Sequence, residues 1–402
     1  MLYKNRSNTR QSRKILCCSK NHLFSLNFLQ KEILFFLLCF LTHSLTHSKI
    51  MMKAVLQDSP GDETTLYVGE TARPTPQAGE VLIRVSCSAL NRMDLLQCKG
   101  LYPLPPGASP ILGVEVSGHV EQLGEGCSGR FAVGDRCMAL LLGGGYAEYA
   151  VASESCVMHA PDSLCMKTLA TIPEQWMTAY QLLFTVGGVK AGDSVLLHAS
   201  ASGVGQAAIQ LATQAGAKVF STVRSDDKVK VCLDMGAVAA FNIQDRGEDF
   251  SALVKEANGG KGVDVVLDPV GGSYANQTLE SLTMDSKWVL YGLMGGKGIQ
   301  DDMFLKKIMG KRICLVGSTL RARSVAYKQA LTMALEENVV PRIVSGEFRV
   351  LIDSTHNMTA AGVQAAHVIM QKNQNIGKIV LQVSESGDDA PQCKKSKIDE
   401  SA

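Results

Sequence analysis

Between Val195 and Leu211 the chain reads Val195-Leu-Leu-His198-Ala-Ser200-Ala-Ser202-Gly203-Val204-Gly205-Gln206-Ala-Ala-Ile-Gln-Leu211. An apolar run enters a loop of small residues and continues as an amphipathic helical pattern, the context in which a loop receives the pyrophosphate of a dinucleotide. Small residues let backbone N–H groups approach the phosphates, and a helix N-terminus adds donors and a favourable dipole. Against the G-x-G-x-x-G template, Ser200 and Ser202 stand at the first and third positions and only Gly205 at its expected place. The alternative, tight strand–helix packing without a ligand, is disfavoured by the run of alternating strands and helices that the loop opens. Twenty residues on, Lys218-Val-Phe-Ser-Thr-Val223 is followed by Arg224-Ser225-Asp226-Asp227-Lys228. An acid at the end of this second strand would bond ribose hydroxyls, whereas basic groups there accept the additional phosphate of NADPH. Arg224 and Lys228 therefore predict NADPH, with Asp226 and Asp227 read as first-turn acids behind Ser225 as N-cap.

These residues must be positioned by two kinds of architecture. From 53 to about 172, short strands broken by Gly and Pro (Lys53–Leu56, Glu80–Ser86, Gly118–Leu123, Arg136–Leu141, Tyr146–Val151) predict an all-β, barrel-like unit. From 174, apolar strands alternate with helices: Ser194–His198, a helix from Gly203, Lys218–Val223, a helix from Asp226, Val263–Asp268, Ser273–Leu282, Lys287–Gly292 and Ile313–Ser318. That alternation predicts an α/β fold with a doubly wound parallel sheet. Helices over Ser324–Glu337 and Thr359–Gln371 and a strand over Ile376–Val383 rejoin the first unit. The expected divisions are 51–173 with 319–383, and 174–318, flanked by an extension 1–50 and a disordered tail 384–402.

The chain has 402 residues, of which 46% are apolar and 19% charged, ample for a core and incompatible with global disorder. Its 12 cysteines include no C-x-x-C pair, which removes zinc ribbons and thioredoxin-type motifs and favours a reduced intracellular protein. Residues 1–50 hold eight Lys/Arg and one acid, a net +7; with +2 overall, residues 51–402 carry −5. A mildly acidic body argues against a nucleic-acid partner. In the extension, a basic start precedes Ile33-Leu-Phe-Phe-Leu-Leu-Cys-Phe-Leu41, too short for a membrane span. It reads as a signal peptide, a mitochondrial presequence, or, as favoured here, an upstream extension without a fold of its own, because Met51-Met52-Lys53 opens a clean strand. The expected location is cytoplasmic, with no membrane partner.

Several longer motifs carry a resemblance: Asn91-Arg-Met-Asp94, Gly113-Val-Glu-Val-Ser-Gly118, Val133-Gly-Asp135, Pro173-Glu-Gln-Trp-Met-Thr-Ala179, Ala191-Gly-Asp-Ser-Val195, Tyr291-Gly-Leu-Met-Gly-Gly296 and Asn375-Ile-Gly-Lys-Ile-Val-Leu381. Over 52–383 the chain resembles the medium-chain dehydrogenase/reductase superfamily, and within it the zinc-independent quinone oxidoreductases. The resemblance implies a chaperonin-10-like β-barrel catalytic domain, a Rossmann domain, a cleft between them, and a homodimer. It implies that Asn91, Asp94 and Tyr102 line the substrate end and that Thr178 faces the nicotinamide. It implies NADPH bound by Ser202, Gly203, Val204, Gly205, Arg224, Lys228, Tyr291, Gly292, Met294, Gly295, Gly377 and Lys378, and a quinone as the hydride acceptor. Taken singly, Asp94 reads equally as a solvated turn acid, Tyr102 as a loop anchor and Thr178 as helix packing. His119, His159 and His198 read as isolated core or surface histidines.

The departures carry information. Zinc enzymes of this superfamily have Cys where this chain has Asn91 and His where it has Val114, and neither replacement can ligate zinc as a thiolate–imidazole pair does. No metal is therefore expected, and a quinone, already an electron sink, suits a site without one. A second Tyr common in the family is Leu96 here, and a Tyr on the strand after Lys218–Val223 is Ile243. Two alternatives remain: reduction of an enone or enoyl thioester on the same scaffold, and a non-enzymatic nucleotide-binding protein of the crystallin or RNA-binding kind.

Overall fold

The computed structural model describes residues 50–244 and 249–384, so the expectations for the leader and the C-terminal tail lie outside the described residues. Met1–Ile50 and Met51–Ala402 separate into two units. The second is an α/β structure built on two large sheets. The first of these has seven strands. Its path runs Ile352–Asn357, Lys378–Gln382, Glu80–Ala89, Glu115–Leu123, Arg136–Leu140 and Val157–His159, with Tyr149–Ser153 on the other side of Glu80–Ala89. All pairings are antiparallel except Ile352–Asn357 with Lys378–Gln382. A small antiparallel pair, Met51–Leu56 with Tyr67–Ala72, completes this part.

Period-two alternation gives these strands two buried faces. Along Arg136–Leu140, Cys137 and Ala139 join Val81, Ile83, Val85 and Phe131 in a core inside the curled sheet. Met138 and Leu140 point the other way, into a larger core with Trp176, Leu182, Val195, Leu197 and Ala207. That second core is continuous from the barrel strands to the parallel sheet, so the two layers share one apolar interior.

The second sheet has six parallel strands in the order Ala239–Asn242, Lys218–Val223, Ser194–His198, Val263–Asp268, Leu282–Leu290, Cys314–Gly317. Numbered along the chain this is 3-2-1-4-5-6, the Rossmann order. Every residue of its first strand, Ser194–His198, is buried, as expected of a central parallel strand covered on both faces. The sequence pattern places this strand, Lys218–Val223 and Val263–Asp268 to the residue. It misses the strands Tyr67–Ala72 and Ile352–Asn357 and the short strands Ala239–Asn242 and Val157–His159, whose few residues carry no period of their own. Among the described residues, no helix is long and apolar enough to cross a membrane.

Candidate functional site

Strand order reverses between Ser194–His198 and Val263–Asp268, and ligands of such sheets bind in the crevice beyond the carboxyl ends of these strands. The loop leaving the first strand is tightly held. Ala199 adopts φ 52°, a left-handed conformation that costs a Cβ-bearing residue about 1–2 kcal/mol. Ser200 Oγ donates to Leu197 O at 2.6 Å. Ser202 is the N-cap of the helix Gly203–Gln214, its side chain accepting from the Gly205 N–H at 3.2 Å. The first-turn N–H groups of Gly203 and Val204 have no acceptor within the helix and are the donors it offers an anion.

The two glycines have separate reasons. A Cβ on Gly205 would lie 2.4 Å from Ser200 O, so only glycine lets the helix start this close to the strand end. A Cβ on Gly203 would lie 2.3 Å from Gln175 Oε1 and 2.7 Å from Lys378 Cδ, side chains that belong to other parts of the fold. Gly377, at φ 86°, donates its N–H to Ala201 O at 3.0 Å and forms a bridge with Ser202. The loop after Ser194–His198 is thereby stitched to the segment leading into Lys378–Gln382. On the far side of the reversal, Asp268 accepts from Val270 N (2.7 Å), Gly271 N (2.9 Å) and Trp288 Nε1 (3.0 Å). The loop after Val263–Asp268 is zipped to the Tyr291–Gly296 loop through Tyr291 N to Asp268 O, Met294 N to Pro269 O and Gly295 N to Val270 O. Gly292 and Gly295 are required because a Cβ would strike Pro269 O (2.6 Å) and Ser273 Oγ (2.4 Å).

At the end of Lys218–Val223 lies a pocket of about 320 Å³ lined by Arg224, Ser225, Asp227, Lys228, Gln244, Lys372, Asn373, Gln374 and Ile376. Among the described residues, three cations, Arg224, Lys228 and Lys372, and one acid, Asp227, line it. Lys228 Nζ donates to Asn373 O at 2.6 Å, and burial followed by repulsion from Arg224 lowers its pKa. Ser225 holds the N-cap position without a capping hydrogen bond from its side chain. Asp226 instead accepts from Asn242 Nδ2 at 2.9 Å. Ile243 packs against the core around Phe220, and its neighbour Gln244 lines the pocket. Lys372 and Asn373 were missed by sequence reading because they lie some 150 positions downstream; no local pattern links them to Arg224.

Of the residues expected at the substrate end, Asn91 and Asp94 are the interior of a buried polar cluster. Asn91 Nδ2 donates to Glu115 Oε1 at 2.9 Å, and its Oδ1 accepts from Lys378 Nζ at 2.8 Å. Lys378 Nζ also donates to Leu90 O and to Glu115 Oε1, both at 2.7 Å, so its three protons are all spent within the protein. Asp94 is fully buried and accepts from Asn91 N (2.8 Å), Gly113 N (3.2 Å) and Tyr146 Oη (3.1 Å). It is no solvated turn acid, and burial raises its pKa to about 6. Val114 is fully buried and apolar. Glu174, in the first turn of the helix Pro173–Tyr180, donates its N–H to Glu115 Oε2 at 2.8 Å; its carboxyl is 3.3 Å from the Thr178 hydroxyl one turn on. Burial, then the Glu115 carboxylate, raises Glu174 to about 7.

Tyr102 differs from these. It is half-buried, and among the described residues its hydroxyl has no hydrogen-bond partner. Burial raises its pKa, keeping it a neutral donor at physiological pH. The guanidinium of Arg321 lies 5.6 Å from its ring centre. Arg321 is only 2% exposed and donates to Leu142 O and Gln97 Oε1, both at 2.7 Å. Glu115, Glu174 and Arg321 were not singled out in the sequence, although charged residues inside apolar motifs are the available signal. His198 is buried between Thr222 and Thr278, a core histidine as read.

Two family models match the chain, "Zinc-binding dehydrogenase" over residues 203–336 and "Alcohol dehydrogenase GroES-like domain" over 77–162. The human quinone oxidoreductase is 30% identical over 292 residues, covering 72% of this chain and 87% of that protein. A phenolphthiocerol/phthiocerol polyketide synthase subunit of Mycobacterium tuberculosis is 28% identical over 82% of this chain, which spans only 15% of the synthase. A mycobacterial structure solved in complex with NADPH superposes with a TM-score of 0.73 at 29% identity, over 83% of this chain and all of that one. The chain belongs to the medium-chain dehydrogenase/reductase superfamily, a family of oxidoreductases that pair a GroES-like domain with a Rossmann domain. Within it, the quinone oxidoreductase relatives fit the zinc-independent quinone oxidoreductase branch.

Proposed function

We propose that the protein is an NADPH-dependent reductase of quinones that works without zinc. The observation that carries this reading is the pocket at the end of Lys218–Val223, where Arg224, Lys228 and Lys372 converge with no acid at the strand end itself. A 2′-phosphate there meets cations from two segments, and each charge-assisted contact contributes about 1.5–3 kcal/mol. The pyrophosphate is held by the N–H groups of Gly203 and Val204 at the helix N-terminus. A bound nicotinamide supplies the hydride, and the protein supplies position and a dry site. Tyr102, with its unclaimed neutral hydroxyl, hydrogen-bonds the acceptor oxygen. Asn91 and Lys378 hold Glu115 and, through it, the start of the helix that carries Thr178. An amide and a valine at 91 and 114 leave no zinc ligand pair, so activity should survive exhaustive chelation. The exposed edge strand Cys314–Gly317, with Leu315 and nearby Met309 and Leu305 open to solvent, is the surface on which a homodimer would form.

The polyketide synthase relative supports a second reading, reduction of an enone or enoyl thioester. The test is a steady-state screen of quinones and enones with NADPH and with NADH, before and after chelation. Chelation-resistant turnover of quinones with NADPH is expected. Turnover confined to enones would transfer the assignment to the second reading, and loss of activity with loss of tightly bound zinc would end the metal-free one.

A further inference from the structure

Asp94, Glu115 and Glu174 are buried around the ammonium of Lys378, and the donors available to them are unequally shared. Glu115 receives Lys378 Nζ, Asn91 Nδ2 and the Glu174 N–H. Asp94 receives two backbone N–H groups and the Tyr146 hydroxyl. Among the described residues, the Glu174 carboxyl has only the Thr178 hydroxyl, at 3.3 Å, although the residue is 5% exposed. A buried carboxylate with one long contact to a neutral hydroxyl is far more costly than a buried carboxylic acid. Of the three, Glu174 is the group that keeps its proton.

The groups facing it agree. Glu115 on the strand Glu115–Leu123 and Asp94 on the helix Arg92–Cys98 strengthen its hold on the proton, and Lys378 on Lys378–Gln382 weakens it. Tyr102, Arg321 and Lys328 lie within electrostatic reach. Glu174 and Thr178 are four residues apart on one helix and so share a face. Thr178 is the residue that the resemblance turns toward the nicotinamide.

We propose that Glu174 is the proton store of the reduction, releasing its proton through the Thr178 hydroxyl to the oxygen of the acceptor. The inference rests on the reductase reading above. A quinone that has gained a hydride carries one extra electron pair as negative charge on oxygen. The Thr178 O–H bond breaks as its proton goes to that oxygen, and Thr178 Oγ takes the Glu174 proton. Quinone plus hydride plus one proton gives hydroquinone, and Glu174 is left as a carboxylate that water reprotonates before the next turnover. Glu174 thus acts through Thr178 as a positioning residue for the proton.

The test replaces Glu174 by Gln, which keeps the shape and the Thr178 contact, with Tyr102→Phe as comparator. In infrared spectra of the protein at about pH 6, the wild type should show a protonated-carboxyl carbonyl band, sensitive to deuterium oxide, that Glu174→Gln removes. With 1,4-benzoquinone or an enone as acceptor, wild-type kcat should fall about tenfold per pH unit above about pH 7. Glu174→Gln should lower kcat at about pH 6 by about 100-fold and flatten the profile, whereas Tyr102→Phe should keep the profile. If Glu174→Gln does not fold, Thr178→Val serves: the band should remain while kcat drops and loses its pH dependence. A band untouched by Glu174→Gln, or a variant with wild-type kcat and profile, overturns the proposal. A wild type that reduces neither acceptor sinks the reductase reading and the delivery step together; an active enzyme indifferent to Glu174 sinks this inference alone.

Discussion

The cluster around Lys378 and the pocket around Arg224 both gather ionisable side chains beside the crevice, in opposite surroundings. In the cluster, Lys378 and Glu115 are 5% and 0% exposed, and nearly every polar atom is answered by another protein atom. In the pocket, Arg224, Lys228 and Lys372 surround about 320 Å³ of open space, and among the described residues Lys228 has one protein acceptor for its ammonium. Charge that is saturated internally fixes geometry. Charge that is left facing a cavity is available to a ligand. Lys378 shows the difference: grouped with Lys228 as a cofactor-binding lysine by resemblance, it spends all three donors on Leu90, Asn91 and Glu115.

The largest expected effect tests the saturated side. Lys378→Met leaves Glu115 buried without its ammonium, and removing one partner of a buried pair costs about 3–5 kcal/mol. Chemical denaturation should show that loss with little dependence on salt, because buried pairs are weakly screened. A variant as stable as the parent would mean that the cluster is held by packing alone.

The next effect belongs to Glu174. Its folded pKa of about 7 lies above the ordinary value of 4.5, so the folded state binds the proton more tightly than the unfolded chain does. Stability contributed by that proton is fully present below the unfolded pKa, declines as pH rises through the interval, and is gone above the folded pKa. The linked change is about 3 kcal/mol. Denaturation of Glu174→Gln at several pH values should lack this decline, and an identical slope in both proteins would place the proton elsewhere.

The smallest effect comes from the open side, and it should appear in binding rather than in stability. Replacing Arg224 and Lys228 together by Ala should weaken NADPH by about 1.5–3 kcal/mol, tenfold or more in apparent KM, and leave NADH nearly unchanged. High salt should erode the preference in the parent, since exposed charges are screened. Equal use of both cofactors by the parent, or loss of NADH use in the double variant, would mean that the Asp226–Asp227 pair reads the ribose.

What the amino-acid order determined by itself was local. The pattern Val195–Leu211 defines a strand, a small-residue loop and a helix because period, cap and glycine all act within a few residues of one another. Arg224 and Lys228 were legible for the same reason, being one turn apart at a strand end. Only the tertiary structure decided what those residues face. Lys372 and Asn373 complete the pocket at Arg224 from a distant turn, and just past the strand Ala239–Asn242 Ile243 packs against the core while Gln244 lines the pocket. Asp94, which reads equally well as a solvated turn acid, is buried beneath Gly113 and Tyr146. Glu174 carries no distinguishing spacing at all. Its proton follows from its burial and from how Asn91, Glu115 and Lys378, brought from three different strands and turns, divide a limited supply of donors, and that division exists only once the chain has folded.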